Sequence, residues 1–304
     1  MARIGMRDVS HKSSSLREAK ATATLRVSPA TIGLILEGKC PKGDPFPVAR
    51  VAAIQTAKTT SQLIPYCHPV PVDWVDVEFT VLEDRVECVV TVRAVYKTGV
   101  EMEALAGASV AVLNLFDLLK PVDSEMQITN VRLLDKSGGK SDYPTVESFS
   151  AAVVVVSDSV AAGTSIDSSG KLLVARLREL GGEVGEPLVV PDVEVRIVEA
   201  VESLKGRNLI VLTGGTGAGP RDVTPEAIVP LLSRRLTGVE HRIQSFGQKR
   251  FPATMLGRPV AGIIGDSIVL AVPGSPGAVT DAVDGLFPYL LHTLSVMAGA
   301  RHGG

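Results

Sequence analysis

Two different hydrophobic rhythms run along this chain, separated by a polar stretch near residue 145. Between residues 45 and 63, Val48, Val51, Ala52, Ile54 and Ala57 recur at helical spacing. Val75, Val77, Phe79 and Val81 alternate with Asp76, Glu78 and Thr80, which predicts a strand with one buried face. Glu83-Asp84 can turn the chain, and Val86, Cys88, Val90 and Val92 alternate as a partner strand. A long helix is predicted from about Gly99 to Leu119 and a last strand from Ile128 to Leu134. Helices grouped against antiparallel strands predict an α+β domain.

Beyond the polar stretch, continuous apolar runs alternate with helical patterns. Strands are predicted at Ala152–Val156, Leu188–Val190, Asn208–Leu212 and Ile268–Val272. Helices are predicted at Gly170–Leu180, Val193–Leu204, Pro225–Leu236 and from about Pro276. Runs of this kind predict a doubly wound α/β domain, its mostly parallel sheet covered on both faces. The segment Lys140–Ser150 is polar, holds Pro144 and has no period. The expected division is therefore 1–143, a linker over 144–150, and 151–304.

Composition narrows the classes of function. The chain has 304 residues, 45% of them apolar and 21% charged, enough for two cores. A formal net charge of −2 argues against bulk nucleic-acid binding or a polybasic membrane anchor. Three scattered cysteines, Cys40, Cys67 and Cys88, form no CxxC pair and suit a reducing compartment. The first residues lack the apolar core of a signal peptide. Leu286–Ala300 is apolar but short, and reads as a buried helix. A cytoplasmic protein without nucleic-acid or membrane partners is expected.

The densest candidate chemistry is Leu212-Thr-Gly-Gly-Thr-Gly-Ala-Gly-Pro-Arg-Asp222, an apolar strand running into four glycines and then toward a helix at Thr224-Pro225. Such glycines let backbone N–H groups converge on an anion. The loop lacks the Gly-Lys-Ser/Thr of a Walker A sequence. In a parallel sheet, ligands bind beyond the carboxyl ends of the strands. There Ser157, Asp158, Asp192, Asp222 and Ser275 would share one rim. Asp192 also suits a helix N-cap, and Asp222 a turn. Carboxylates beside a phosphate cradle suit Mg2+, which takes one or two carboxylates plus phosphate oxygens.

In order, Ser157-Asp-Ser, Gly163, Asp167-Ser-Ser-Gly170, Pro191-Asp192, Thr213-Gly-Gly-Thr-Gly217, Arg221-Asp-Val-Thr-Pro225 and Pro273-Gly-Ser-Pro276 resemble the MogA/MoaB family over about residues 151–300. The resemblance implies a molybdopterin adenylyltransferase that uses Mg-ATP. Asp192 and Asp222 then match the family's two functional aspartates, with Mg2+ as their candidate ligand. Thr213, Gly214, Gly215, Thr216 and Gly217, with Pro273, Gly274, Ser275 and Pro276, match its nucleotide and pterin loops. Ser157, Asp158 and Arg221 join that nucleotide- or pterin-binding set. Two departures stand out. The expected arginine falls two positions later in Gly238-Val-Glu-His-Arg-Ile-Gln, and Gly257 replaces a serine in Leu256-Gly-Arg258. An alternative is a molybdopterin-binding or oligomerisation scaffold without catalysis.

In the first half, Asp8-Val-Ser-His-Lys12, Arg17-Glu-Ala, Lys42-Gly-Asp44, Leu63-Ile-Pro-Tyr-Cys-His-Pro69, Lys97-Thr-Gly-Val-Glu-Met-Glu-Ala-Leu105, Asp117-Leu-Leu-Lys120 and Val131–Lys140 resemble the MoaC family. The resemblance covers Ile4–Ser141 and implies a ferredoxin-like α+β fold. It implies conversion of 3′,8-cyclo-7,8-dihydroguanosine 5′-triphosphate to cyclic pyranopterin monophosphate and pyrophosphate. Asp117 would be the acid/base, with Lys42 and Lys120 beside it. Lys12, Arg17 and Lys136 would meet phosphates, and Tyr66, Cys67, His68, Glu101, Met102 and Glu103 would bind substrate. If one straight helix carries Glu103 and Asp117, they stand about 21 Å apart, so a subunit interface would complete the site. A homo-oligomer, trimer or hexamer, is expected, with other molybdenum cofactor biosynthesis enzymes as possible partners.

Overall fold

A computed structural model describes residues 5–139 and 148–299. It divides into two compact units, Met1–Asp142 and Tyr143–Gly304.

In the first unit the elements run β1 (Ser15–Arg26), α1 (Pro29–Leu36), α2 (Pro45–Leu63), β2 (Trp74–Val81), β3 (Arg85–Tyr96), α3 (Glu101–Leu119) and β4 (Gln127–Ser137). The strands form one antiparallel sheet in the order β2-β3-β1-β4. The sequence reading missed β1 and α1. Yet β1 lies inside the sheet, its Ala19, Ala21 and Ala23 fully buried. Small side chains let α3 sit close to the sheet, but alanine is a weak strand former and hid the alternation. Gly107 does the same between the helices: a Cβ there would lie 3.2 Å from the Ala53 carbonyl oxygen of α2. By length and composition α3 could cross a bilayer. It is instead a core helix, burying eight residues from Glu103 to Leu119.

The second unit begins with β5 (Phe149–Val156), α4 (Asp158–Ala161), α5 (Ser169–Glu179), β6 (Gly182–Val184), β7 (Leu188–Val190), α6 (Glu194–Ser203) and β8 (Leu209–Thr213). It continues with α7 (Thr224–Ile228), β9 (Arg234–Arg235), α8 (Thr237–Gln248), β10 (Val260–Ile264), β11 (Ser267–Val272), α9 (Pro276–Leu286) and α10 (His292–Met297). The seven-stranded sheet runs β6-β5-β8-β11-β10-β9, with β7 also on β5. β5, β6, β7, β8 and β11 are parallel, whereas β10 and β9 are antiparallel, so the sheet is mixed. One buried cluster joins Leu173, Leu177, Val279 and Leu286 to one face. A second joins Ile197, Val201 and Ile228 to the other.

Three expectations need correction. Phe149 and Ser150, expected in the linker, begin β5, where Phe149 is 2% exposed. Residues 144–147 of that linker lie outside the described residues. The helix expected over Pro225–Leu236 stops at Ile228, because Pro230 has no N–H to continue it. The buried helix expected over Leu286–Ala300 is broken at Pro288, leaving α9, a 3-10 turn and α10. The helix α8 and strands β6, β9 and β10 were not foreseen.

The packing of β1 makes a stability prediction. Ala21→Leu should destabilise the first unit by about 1–3 kcal/mol through overpacking. Urea unfolding of the full chain should move the first unit's transition to lower urea and leave the second unit's unmoved.

Candidate functional site

In the second unit, strand order decides what meets. β5 lies between β7 and β8, and β8 lies between β5 and β11. Their carboxyl ends therefore deliver four loops to one rim: Ser157–Ser159, Pro191–Asp192, Gly214–Asp222 and Pro273–Ser275. A fifth, Ser165–Ser169, arrives at the start of α5.

Backbone contacts fix the shape of the rim. Gly214 leaves β8 with φ +105°, and Gly215 follows at φ +61°. A Cβ on Gly214 would collide with the Val156 carbonyl oxygen. One on Gly274 would lie 3.1 Å from the Gly214 Cα. Only glycines permit this approach. Thr224 Oγ1 donates to the Gly214 carbonyl at 2.9 Å, and Thr224 N–H to that of Gly215 at 3.0 Å. The loop is thus tied to the start of α7.

Two neighbouring cavities result. One of about 300 Å³ is lined by Ser157, Asp158, Ser159, Asp192, Gly219, Pro220, Arg221 and Asp222. The other, about 220 Å³, shares Ser157 and Ser159 and adds Thr213, Gly214, Gly274 and the Ser165–Ser169 turn. Asp158 and Asp192 bind each other's backbone: Asp158 N–H donates to Asp192 Oδ2 at 2.9 Å, and Asp192 N–H to Asp158 Oδ1 at 3.0 Å. Arg221 reaches Asp158 at 3.3 Å. Asp222 accepts the Gly219 N–H at 2.7 Å. Burial first, then the nearby Asp158 and Asp222 charges, push the Asp192 carboxyl above its ordinary value, against the opposing pull of its backbone bond and Arg221.

The expected residues divide. Ser157, Asp158, Asp192, Arg221, Asp222, Thr213, Gly214 and Gly274 line the cavities. Gly215, Thr216, Gly217, Pro273, Ser275 and Pro276 support them. Thr216 is buried, Ser275 caps α9 through the Ala278 N–H, and Pro273 accepts from Thr213 Oγ1. Sequence reading missed the cavity role of Ser159 and of Ser165–Ser169. The Asp167-Ser-Ser-Gly pattern was a signal, since Asp167 accepts the Gly170 and Lys171 N–H groups at the start of α5.

In the first unit, the expected residues form two groups at opposite ends of α3. Near its C-terminal end Asp117 receives the Lys120 ammonium at 2.6 Å and the Lys42 ammonium at 3.3 Å. Lys42 also donates to the Asp117 carbonyl at 3.1 Å. Lys120 first, then Lys42, hold the Asp117 carboxyl below its ordinary value. At the N-terminal end, Tyr66, Cys67, His68, Thr98, Glu101, Met102 and Glu103 line a cavity of about 150 Å³. Burial, with a smaller push from Glu101, raises the Glu103 carboxyl. Burial and then Glu103 raise the Cys67 thiol. Lys136 pairs with Glu101 at 3.2 Å. Arg17 is turned to backbone, donating to the Gly138 carbonyl at 2.8 Å and the Tyr96 carbonyl at 3.4 Å. Lys12 sits on the loop before β1, its N–H donating to Val9 at 3.0 Å.

Among the described residues no three His, Cys, Asp or Glu side chains form a metal-holding group. A carboxylate-lined cavity beside a glycine cradle in one unit, and a lysine-flanked carboxylate in an α+β unit, define a protein with two candidate sites. The MoaC family model matches residues 6–139, and the model described as "Probable molybdopterin binding domain" matches residues 152–292. The chain is 40% identical over 301 residues to a molybdenum cofactor biosynthesis bifunctional protein of Chlorobaculum tepidum, covering 98% of this chain and 96% of that one. A protein of the same description from Synechococcus elongatus is 39% identical, covering 98% and 99%. Over 45% of this chain and 54% of the relative, it is 46% identical to a cyclic pyranopterin monophosphate synthase of Aquifex aeolicus. The chain belongs to the family of molybdenum cofactor biosynthesis bifunctional proteins.

The crowded carboxylates predict a pH effect. A raised folded-state pKa means that ionised Asp192 opposes folding above that pKa, and the penalty disappears as pH falls below the unfolded value. Asp192→Asn should therefore raise the melting temperature of the second unit at pH 7. Scanning calorimetry should show the gain fading on acidification toward pH 3.8, the ordinary aspartate value.

Proposed function

We propose that the first unit is a cyclic pyranopterin monophosphate synthase and the second a molybdopterin adenylyltransferase using Mg-ATP. The observation that carries the second assignment is the glycine cradle beside Asp192 and Asp222. The ionised Asp117 between two ammoniums supports the first. We also read the first unit as ferredoxin-like, from its element order and its strand order β2-β3-β1-β4.

In the second unit, the backbone of the 214–219 loop and the charge of Arg221 would hold phosphates. The carboxylates fit Mg2+: Asp158, Asp192 and Asp222 line one cavity, and a divalent cation would offset both the burial and the Asp158 and Asp222 charges that raise Asp192. Asp192 and Asp222 would hold the ion, which neutralises charge on the transferred phosphate. Ser157 and Ser159, shared by both cavities, would orient the two substrates toward each other.

In the first unit Asp117 is held ionised, so it accepts a proton, while Lys42 and Lys120 supply the nearby cations. Glu103, held toward its protonated form, binds at the other end. Fourteen residues of α3 separate the two carboxyls, about 21 Å along the axis. A substrate reaches both only if two copies of the chain join their sites, so a homo-oligomer is part of the proposal.

Two experiments test this reading. Asp117→Asn and Glu103→Gln chains, each inactive alone, should regain synthase activity when co-assembled with different tags. Mixed assemblies as inactive as their parents would sink the shared site. Purified protein with molybdopterin and Mg-ATP should yield adenylylated molybdopterin by mass spectrometry, and Asp222→Asn should lower the rate by about 100-fold or more. Bound pterin without product would make the second unit a binding scaffold.

A further inference from the structure

The 216–226 loop is held from outside the cavities by one side chain. Arg258 follows the 3-10 turn Pro252–Leu256 and stands just before β10. Its Nε donates to the Gly217 carbonyl at 2.8 Å and its Nη2 to the Asp222 carbonyl at 2.6 Å. Its Nη1 pairs with Glu226 on α7, and its backbone N–H donates to the Thr216 carbonyl at 2.8 Å. Four donors of one residue thus meet four different acceptors across the loop. Gly219, Pro220, Arg221 and Asp222 line the larger cavity, and Arg258 is in neither lining.

We propose that Arg258 is a positioning residue that sets the nucleotide loop in its binding shape. The inference rests on the assignment of that loop to nucleotide. A peptide carbonyl and the following N–H point in opposite directions. Drawing the Gly217 and Asp222 carbonyls toward Arg258 therefore turns the Ala218 and Val223 N–H groups away from it. The same pull fixes the backbone of Asp222, whose carboxylate holds the Gly219 N–H. The charge is matched locally, because Arg258 holds the Glu226 carboxyl below its ordinary value. A lysine cannot replace this fork, since a single ammonium cannot span acceptors on both ends of the loop.

The test uses the full chain with Arg258→Lys and Arg258→Ala. Amide hydrogen exchange over 216–223 should accelerate about tenfold or more in both variants, with β8 unchanged. Calorimetric affinity for Mg-ATP should weaken about tenfold or more, while synthase activity of the first unit stays at the wild-type level. Added guanidinium, but not methylammonium, should restore affinity to Arg258→Ala. Unchanged exchange in the loop overturns the proposal, as does equal rescue of affinity by methylammonium and guanidinium. If wild-type protein binds no Mg-ATP, the nucleotide assignment fails, and the exchange result alone then decides whether Arg258 shapes the loop.

Discussion

The second unit depends on a place where side chains cannot go. The ends of β5, β8 and β11 converge at Val156, Gly214 and Gly274, and a Cβ on Gly214 would strike the Val156 carbonyl oxygen. That contact lets the loop after β8 cross the strand ends. From there Gly215 passes close to Asp192, and Thr224 ties the loop to α7. The paired Asp158 and Asp192, the Asp222 turn and the two cavities follow from that crossing. Sheet order supplies the convergence and glycine supplies the clearance, so neither alone makes the cradle.

The first unit is organised by length instead of closeness. Its α3 is both the core helix and the ruler that keeps Asp117 and Glu103 apart. The two ends have opposite electrostatics. At one, two ammoniums keep a carboxylate ionised in solvent; at the other, burial favours a protonated one. The two carboxyls are thus shifted in opposite directions on a single helix, and assembly of copies is what would unite them.

Much of this was legible in the sequence for identifiable reasons. The Gly-rich loop declares itself because positive φ and close approach require glycine at fixed positions. The hairpin of β2 and β3 declares itself because Val75, Val77, Phe79 and Val81 alternate with the polar Asp76, Glu78 and Thr80, and Val86, Cys88, Val90 and Val92 repeat the period on the partner strand. β1 does not, since packing against α3 demands alanine where a strand signal needs bulk. The stretch 225–248 misled because Pro225 starts a helix that Pro230 stops, and the true helix α8 begins only at Thr237. Lys42 and Asp117 were paired through family motifs, as 75 residues separate them. The Leu256-Gly-Arg258 motif did not reveal what Arg258 holds, because its side-chain partners lie 32 to 41 residues upstream. Arg17, named through the family motif, donates to the Tyr96 and Gly138 carbonyls, which lie 79 and 121 residues downstream and so left no local signal.

The most direct test of the central constraint is one methyl group. Gly214→Ala places that group on the Val156 carbonyl oxygen at a φ that L residues avoid. The measurement is Mg-ATP binding to the full chain by calorimetry. The account predicts that binding is lost while the first unit still makes cyclic pyranopterin monophosphate at the wild-type rate. Wild-type nucleotide affinity in Gly214→Ala would contradict it.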